Sequence, residues 1–288
     1  MERNLKPLFG PAGNGESFYA AGFKASEQMP EFLSSQGLTA YEYQCGNGVR
    51  VGEATAKKIG DSAAKHNIAL SLHTPYFINL ATPEEEKRVK SIDYIMQSLK
   101  AAKFMGADRI VIHSGALGKM TREEALALAK ITLPMAQKEA DECGFSDIHF
   151  CIETMGKINQ LGNLQEVMEL CKLDDRFLPT IDFGHLNART LGGVNSKEAY
   201  EEIIDTMINE IGIDRTKVFH SHFSHIEYTK GGEKRHLTFE DKEFGPFFEP
   251  LAELICKKNL TPTFICESAG TQTEDALYMQ KAYERCQL

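Results

Sequence analysis

A chain of 288 residues, 42% hydrophobic and 25% charged, carries enough apolar material for one large core and lacks the low-complexity or like-charged tracts of disordered chains. Its net charge of −9 argues against a protein that coats nucleic acid through massed Lys and Arg, though not against a local basic patch or acids offset by divalent cations. Seven cysteines without a C-x-x-C pair argue against a disulfide framework, and neither an apolar leader run in Met1–Lys6 nor a membrane-length apolar stretch is present, so a cytoplasmic protein without a membrane partner is expected.

Pro7–Phe9 reads as a first strand, and Gly10-Pro11-Ala12-Gly13-Asn14-Gly15 as the turn that ends it. A phosphate cradle there lacks the Gly-Lys-Ser/Thr that would complete it. The pattern predicts a helix over 26–36, a strand at Tyr41–Tyr43, a helix over Glu53–His66 and a strand from Ile68 to Leu72 that ends at His73. Thr82 as cap, Pro83 in the first turn and acids at 84–86 predict a helix reaching about Met105.

Asp108–Ile112 reads as a strand ending at His113, and Thr121 with Glu124 opens a helix to Cys143. Ile148–Ile152 ends at Glu153, Asn163–Lys172 is helical, Leu178–Ile181 leads into Asp182, Ser196–Ile211 is helical, and Val218–His222 is the next strand. The polar stretch His225–Phe244 reads as a loop over the site. Gly245-Pro246 opens a helix to Lys258, Pro262–Cys266 is the last strand, and Thr271–Cys286 closes the chain as a helix. Strands alternating with helices in this way give an α/β fold, a single (β/α)8 TIM barrel in one domain over 1–288, with an open doubly wound sheet as the alternative.

Polar residues recur where apolar runs stop: His73, His113, Glu153, Asp182, His185, His222, His236 and Glu267. In a barrel these strand ends converge on the C-terminal face, where active sites form. A lone His ending a strand is commonly a hydrogen-bonding residue. A set of this size, left without a cation, would leave several charges unpaired, each costing several kcal/mol, so a metal site is expected. Imidazole and carboxylate donors with an open position suit Zn2+, and Mn2+ fits the same mix.

His66, at a helix C-terminus, and His149, at the start of a strand, are set aside. His220 shares the strand side of His222, and His225 follows it, so either could support the site from behind. Tyr76 and Phe77 could stack on a base or pack beneath a loop, and Arg189 could meet phosphate or stand in solvent.

These residues resemble the endonuclease IV family of abasic-site endonucleases, related to xylose isomerase-like barrels. The likeness rests on His73 with Tyr76-Phe77-Ile78-Asn79-Leu80, on Ile112-His113-Ser114-Gly115, on Ile152-Glu153-Thr154, on Ile181-Asp182 with His185, on His222-Phe223-Ser224 and on Glu267-Ser268. It implies up to three zinc ions: His73 and His113 on one, Asp182, His222 and Glu267 on a second, Glu153 bridging them, and His185 with His236 on a third. The implied reaction is hydrolysis of the phosphodiester 5′ to an abasic nucleotide in damaged double-stranded DNA, with Glu153 and Glu267 at its catalytic centre, Tyr76 and Phe77 against the DNA, and no protein partner.

The family pattern has Asp where this chain has Lys234, leaving Glu233 as the nearest carboxylate, and Asn-Asp where Phe223-Ser224 stand. Its DNA-penetrating loop is matched only loosely, around Arg50. A sugar isomerase or epimerase using one metal, with Glu153 and Glu267 as acid and base on a small carbohydrate, is the alternative function, and a metal-stabilised nucleic-acid-binding module without turnover is a third.

Overall fold

Each buried apolar run of the sequence becomes a strand of one parallel sheet, because its two faces are covered by the barrel interior and by helices. The computed structural model describes residues 6–287, so Met1–Leu5, part of the stretch scanned for a leader, lie outside the described residues. The barrel strands are β1 (Leu8–Pro11), β2 (Ala40–Gln44), β3 (Ala69–His73), β4 (Arg109–His113), β5 (His149–Glu153), β6 (Leu178–Asp182), β7 (His220–Phe223) and β10 (Thr263–Cys266). A separate hairpin, β8 (Ile226–Thr229) and β9 (Gly232–His236), lies between β7 and β10 in sequence. The helices in chain order are α1 (Glu16–Ala20), α2 (Met29–Gln36), α3 (Glu53–His66), α4 (Glu85–Met105), α5 (Arg122–Glu142), α6 (Leu164–Cys171), α7 (Phe183–Arg189), α8 (Lys197–Ile211), α9 (Ile213–Lys217), α10 (Glu249–Lys257) and α11 (Gln272–Arg285).

Strand order is β1-β10-β7-β6-β5-β4-β3-β2, all parallel, and the sheet curls until its outer strands meet. Ala12 bridges Glu42 in parallel, Thr39 N–H donates to the Phe9 carbonyl at 3.0 Å and Gly13 N–H to the Glu42 carbonyl at 2.9 Å. Closure depends on Gly10: a Cβ there would lie 1.7 Å from the Ala40 carbonyl oxygen, so any side chain would force the seam apart. Gly10 and Pro11 therefore extend the first strand, where the sequence suggested a turn.

Alternation along the strands sorts two environments. Phe9, Phe219 and Phe264 face the helices, where Phe9 stacks on Phe264 at 5.4 Å and Phe248, just before α10, meets Phe264 edge-on at 5.1 Å. Fully burying each such ring is worth roughly 1.5–3 kcal/mol. Inside the barrel a small apolar cluster of Val111, Cys151 and Leu178 sits apart from the main core. Above it the interior turns polar.

Several expected elements shift. Helix α4 starts at Glu85 rather than at Thr82, without a side-chain cap. Asn79 Oδ1 accepts from the backbone N–H of both Ala81 and Ala116, which holds the chain in a turn before the helix can begin. Helix α10 begins at Glu249, past Gly245-Pro246. The polar stretch after His225 is an antiparallel hairpin, not a plain loop: Gly232 takes the positive φ of +90° that its tight turn needs, and Ile226 pairs with His236. No described helix is long and apolar enough to cross a membrane.

Candidate metal centre

Parallel pairing sets the strand ends side by side. His113 is in register with Glu153, and Asp182 with His222, so His73, His113, Glu153, Asp182 and His222 ring the C-terminal mouth while Glu267 follows β10. Asp182 is also the cap of α7: its Oδ1 accepts the His185 backbone N–H at 2.7 Å. That first turn is why a carboxylate and an imidazole three residues apart both reach the site.

Five groups of donors, several sharing residues, result among the described residues: three account for the residues of the mouth, His73, His222 and Glu267 link the first two of these, and Glu42, His220 and His222 lie below. His73 Nε2 and His113 Nε2 lie 3.3 and 3.1 Å from Glu153 Oε2. The other oxygen, Oε1, lies 3.0 Å from His222 Nδ1, in a group with Asp182 and Glu267. His185 Nε2 lies 3.5 Å from Glu233 Oε2, in a group completed by His236. Within each group the donor atoms lie within 4.8 Å of one another, close enough to share a cation.

The chemistry of this donor set fits divalent metal. Asp182 Oδ2 is buried and makes no well-aligned hydrogen bond: His185 Nδ1 lies 3.2 Å away but its N–H is directed to the Thr154 carbonyl, so the oxygen stays open to a cation. Ring nitrogens are fixed from behind: His73 Nδ1 lies 2.8 Å from the Thr74 carbonyl and His185 Nδ1 2.9 Å from the Thr154 carbonyl, so each donates there and turns its Nε2 lone pair to the mouth. Imidazole and carboxylate donors in this combination suit first-row divalent ions such as zinc and manganese.

Without a cation, protons fill the role. Burial opposes charge on His73, but Glu153 raises its pKa to about 9; burial likewise opposes charge on His185, but Asp182 and Glu233 raise it to about 9. Burial works against His222 too, yet Glu267, Glu42 and Glu153 hold it well above its usual value. The Glu153 carboxyl, which burial would raise, is held well below the carboxylate range by His222 and His113. Burial raises Asp182.

Glu233 occupies the place that Lys234 cannot. Gly156 makes room for it: a Cβ there would come within 2.7 Å of Glu233 Cβ and 2.9 Å of His185 Cδ2. Lys234 instead points outward to Glu227, at 2.5 Å. His236 Nδ1 lies 2.8 Å from Ser224 Oγ, so Ser224 braces the ring from its far side.

The remaining expected residues separate. Tyr76 and Phe77 stand 61% and 42% exposed at the mouth, with Phe77 also packed edge-on against Tyr94 at 4.7 Å. His225 is away from all three groups, stacked on Phe239 at 4.8 Å. Arg189 is neither solvated nor free for phosphate, because it donates to the carbonyls of Met155, Lys157 and Gln160 and, with Arg122, fixes that loop. His149 lies at the opposite end of the barrel, beside a cavity of about 600 Å3 that Ser71 and Arg109 also line.

His220 does point inward, but below the mouth, 2.9 Å from a residue the sequence reading passed over, Glu42. Glu42 is fully buried in β2. Its only sequence signal is an acid between two tyrosines in a strand whose neighbours are buried.

Residues 30–284 match the family described as Xylose isomerase-like TIM barrel. The chain belongs to this family. An uncharacterized protein of Methanocaldococcus jannaschii is 32% identical over 285 residues, covering 98% of this chain and 99% of its own. A "Probable endonuclease 4" of Aster yellows witches'-broom phytoplasma is 28% identical over 85% of this chain and 82% of its own. Among solved structures, endonuclease IV from Thermus thermophilus superposes with a TM-score of 0.70 at 16% identity over 98% of this chain and 99% of its own. A D-tagatose 3-epimerase-like protein superposes with 0.72 at 18% identity over 97% and 98%. At such identities these two likenesses speak for the barrel fold alone.

Proposed function

We propose that the barrel mouth is a multinuclear zinc centre that hydrolyses DNA on the 5′ side of an abasic nucleotide. The observation that carries this reading is the division of Glu153: one carboxylate oxygen faces His73 and His113, the other faces His222, so a single side chain joins two donor groups. A third group, His185, Glu233 and His236, stands beside them. The relative in sequence named "Probable endonuclease 4" supports the same direction.

Bound divalent ions supply Lewis acidity and a water acidified toward neutral pH. The chain's own groups do the rest. Glu153 keeps the two groups at a fixed separation, and His73 and His185 are held in one tautomer by the Thr74 and Thr154 carbonyls. Glu267, with 16% of its side chain exposed, is the carboxylate that an incoming phosphodiester meets at the rim. Tyr76 and Phe77 offer exposed ring faces on which an unstacked base can rest.

A second reading has its own support. Glu153, Asp182, His222 and Glu267 form one self-sufficient four-donor group, enough for a single-metal isomerase or epimerase with Glu153 and Glu267 as acid and base. Elemental analysis and an incision assay separate the two. The nuclease reading expects two or three zinc ions per chain and cleavage of an abasic-site duplex, both lost in Glu153→Gln. One metal, no incision with zinc supplied, and turnover of a ketose or aldose would select the isomerase.

A further inference from the structure

Beneath the mouth, Glu42 has four polar neighbours and no solvent. Its Oε1 lies 2.9 Å from His222 Nε2 and 3.1 Å from Gln44 Nε2. Its Oε2 accepts from Ser71 Oγ at 2.8 Å and lies 2.9 Å from His220 Nε2. The opposite nitrogen of His222, Nδ1, is the one that faces Glu153 and Glu267.

We infer that Glu42 is a positioning residue for the metal centre: its carboxylate keeps a proton on His222 Nε2, so that Nδ1 is the nitrogen whose lone pair faces the mouth when a cation binds. A lone pair on Nε2 aimed at a buried carboxylate 2.9 Å away would be repelled, so the tautomer with Nε2–H is strongly preferred. The approach is bent away from an ideal hydrogen-bond line, which leaves charge rather than angle as the source of the preference. Ser71, Gln44 and His220 hold Glu42 itself, so the ring cannot swing without breaking contacts on two further strands. A carboxylate behind a ligating imidazole both orients it and makes it a stronger donor.

A glutamine is an imperfect replacement. It removes the charge that sets the preference; with its NH2 in the place of Oε1 it would meet the Gln44 donor and turn His222 to the other tautomer, and with its NH2 in the place of Oε2 it requires both Ser71 Oγ and His220 Nε2 to accept.

The inference rests on the metal-centre reading, and the test separates their failures. Full-length wild-type, Glu42→Gln and Ser71→Ala proteins are stripped of metal and titrated with Zn2+ against a competing chelator and with Co2+ by visible absorption. Circular dichroism and Tm check that each is folded. Glu42→Gln is expected to reach the wild-type metal count at saturation with affinity about 10–100-fold weaker and an altered cobalt spectrum. Ser71→Ala, a smaller change that also covers a misfolded Glu42→Gln, is expected to lose about 2–10-fold.

In a duplex-incision assay at saturating zinc, kcat should fall in Glu42→Gln while KM stays. Folded variants with wild-type affinity and wild-type cobalt spectra would overturn the inference. So would the loss of one ion at saturation, which would make Glu42, His220 and His222 a cation site in their own right. A wild-type chain that binds no divalent ion would sink the metal-centre reading, and this inference with it.

Discussion

Asp182 and His185 are neighbours in sequence yet belong to different donor groups. Asp182 is wholly buried with one oxygen lacking a well-aligned hydrogen bond, among Glu153, His222 and Glu267; His185 turns its Nε2 to Glu233 and His236. Asp182→Ala is expected to abolish metal at the central group. His185→Ala should remove one ion and leave the others, as read by elemental analysis of the purified proteins. Equal metal content in both variants and wild type would mean that these groups hold no ion.

The same scale shows what a sequence can and cannot reveal. His73, His113, Glu153, Asp182, His222 and Glu267 were legible because each ends an apolar run, and a polar strand end in a barrel has one place to go. Glu42 was not, because what makes it a site residue is contact with His220, 178 positions away. Arg189 was misjudged for a related reason. Its partners are backbone carbonyls of a loop that only the fold brings beside α7.

Among elements, those governed by local chemistry followed the sequence closely. Thr121 Oγ1 accepts from Glu124 N–H at 3.2 Å while Glu124 Oε2 accepts from Thr121 N–H at 2.8 Å, and Asn163 with Glu166 repeats the exchange at the start of α6. Other elements were silent in the sequence, the short helices α1 and α9 among them. Helix α7 is too short and too uniformly buried to show a helical period, and the β8–β9 hairpin is built of polar residues whose pairing is with each other.

That hairpin docks through the loop after β5: Glu233 N–H donates to the Gly156 carbonyl at 3.1 Å, and Ile158 N–H to the Gly231 carbonyl at 3.1 Å. Gly156 is the closest point. Gly156→Ala should push Glu233 and His185 apart, cost about 1–3 kcal/mol in chemical denaturation, and lower metal content by one ion while the groups around Glu153 keep theirs. Retention of every ion would show that the hairpin has no part in binding.

For the whole molecule, protonation of the buried histidines offsets the carboxylates that line the barrel interior, and it gives a pH window. The folded pKa values of His73 and His185, about 9, stand above their ordinary value of 6.5. Their contribution to stability is therefore complete below about 6.5 and is lost as pH rises through about 9. Stripped of metal, the protein should show a Tm that falls across that interval; saturated with zinc, it should not, because the ions neutralise the same carboxylates. A chelator-treated sample with a flat Tm over the window would refute this.

Eight alternating strands could be counted from the chain, but closure of the sheet could not, since it turns on Gly10 lying against the backbone of Ala40. The hairpin sits outside that closed wall, and its ends, Ile226 and His236, are paired with each other. A segment whose entry and exit points touch can be exchanged at little entropic cost, without disturbing what lies on either side. The barrel is thus a fixed chassis and the ribbon an interchangeable part: a different insert at this position would change which donors stand beside those of the strand ends, while every strand stays in register.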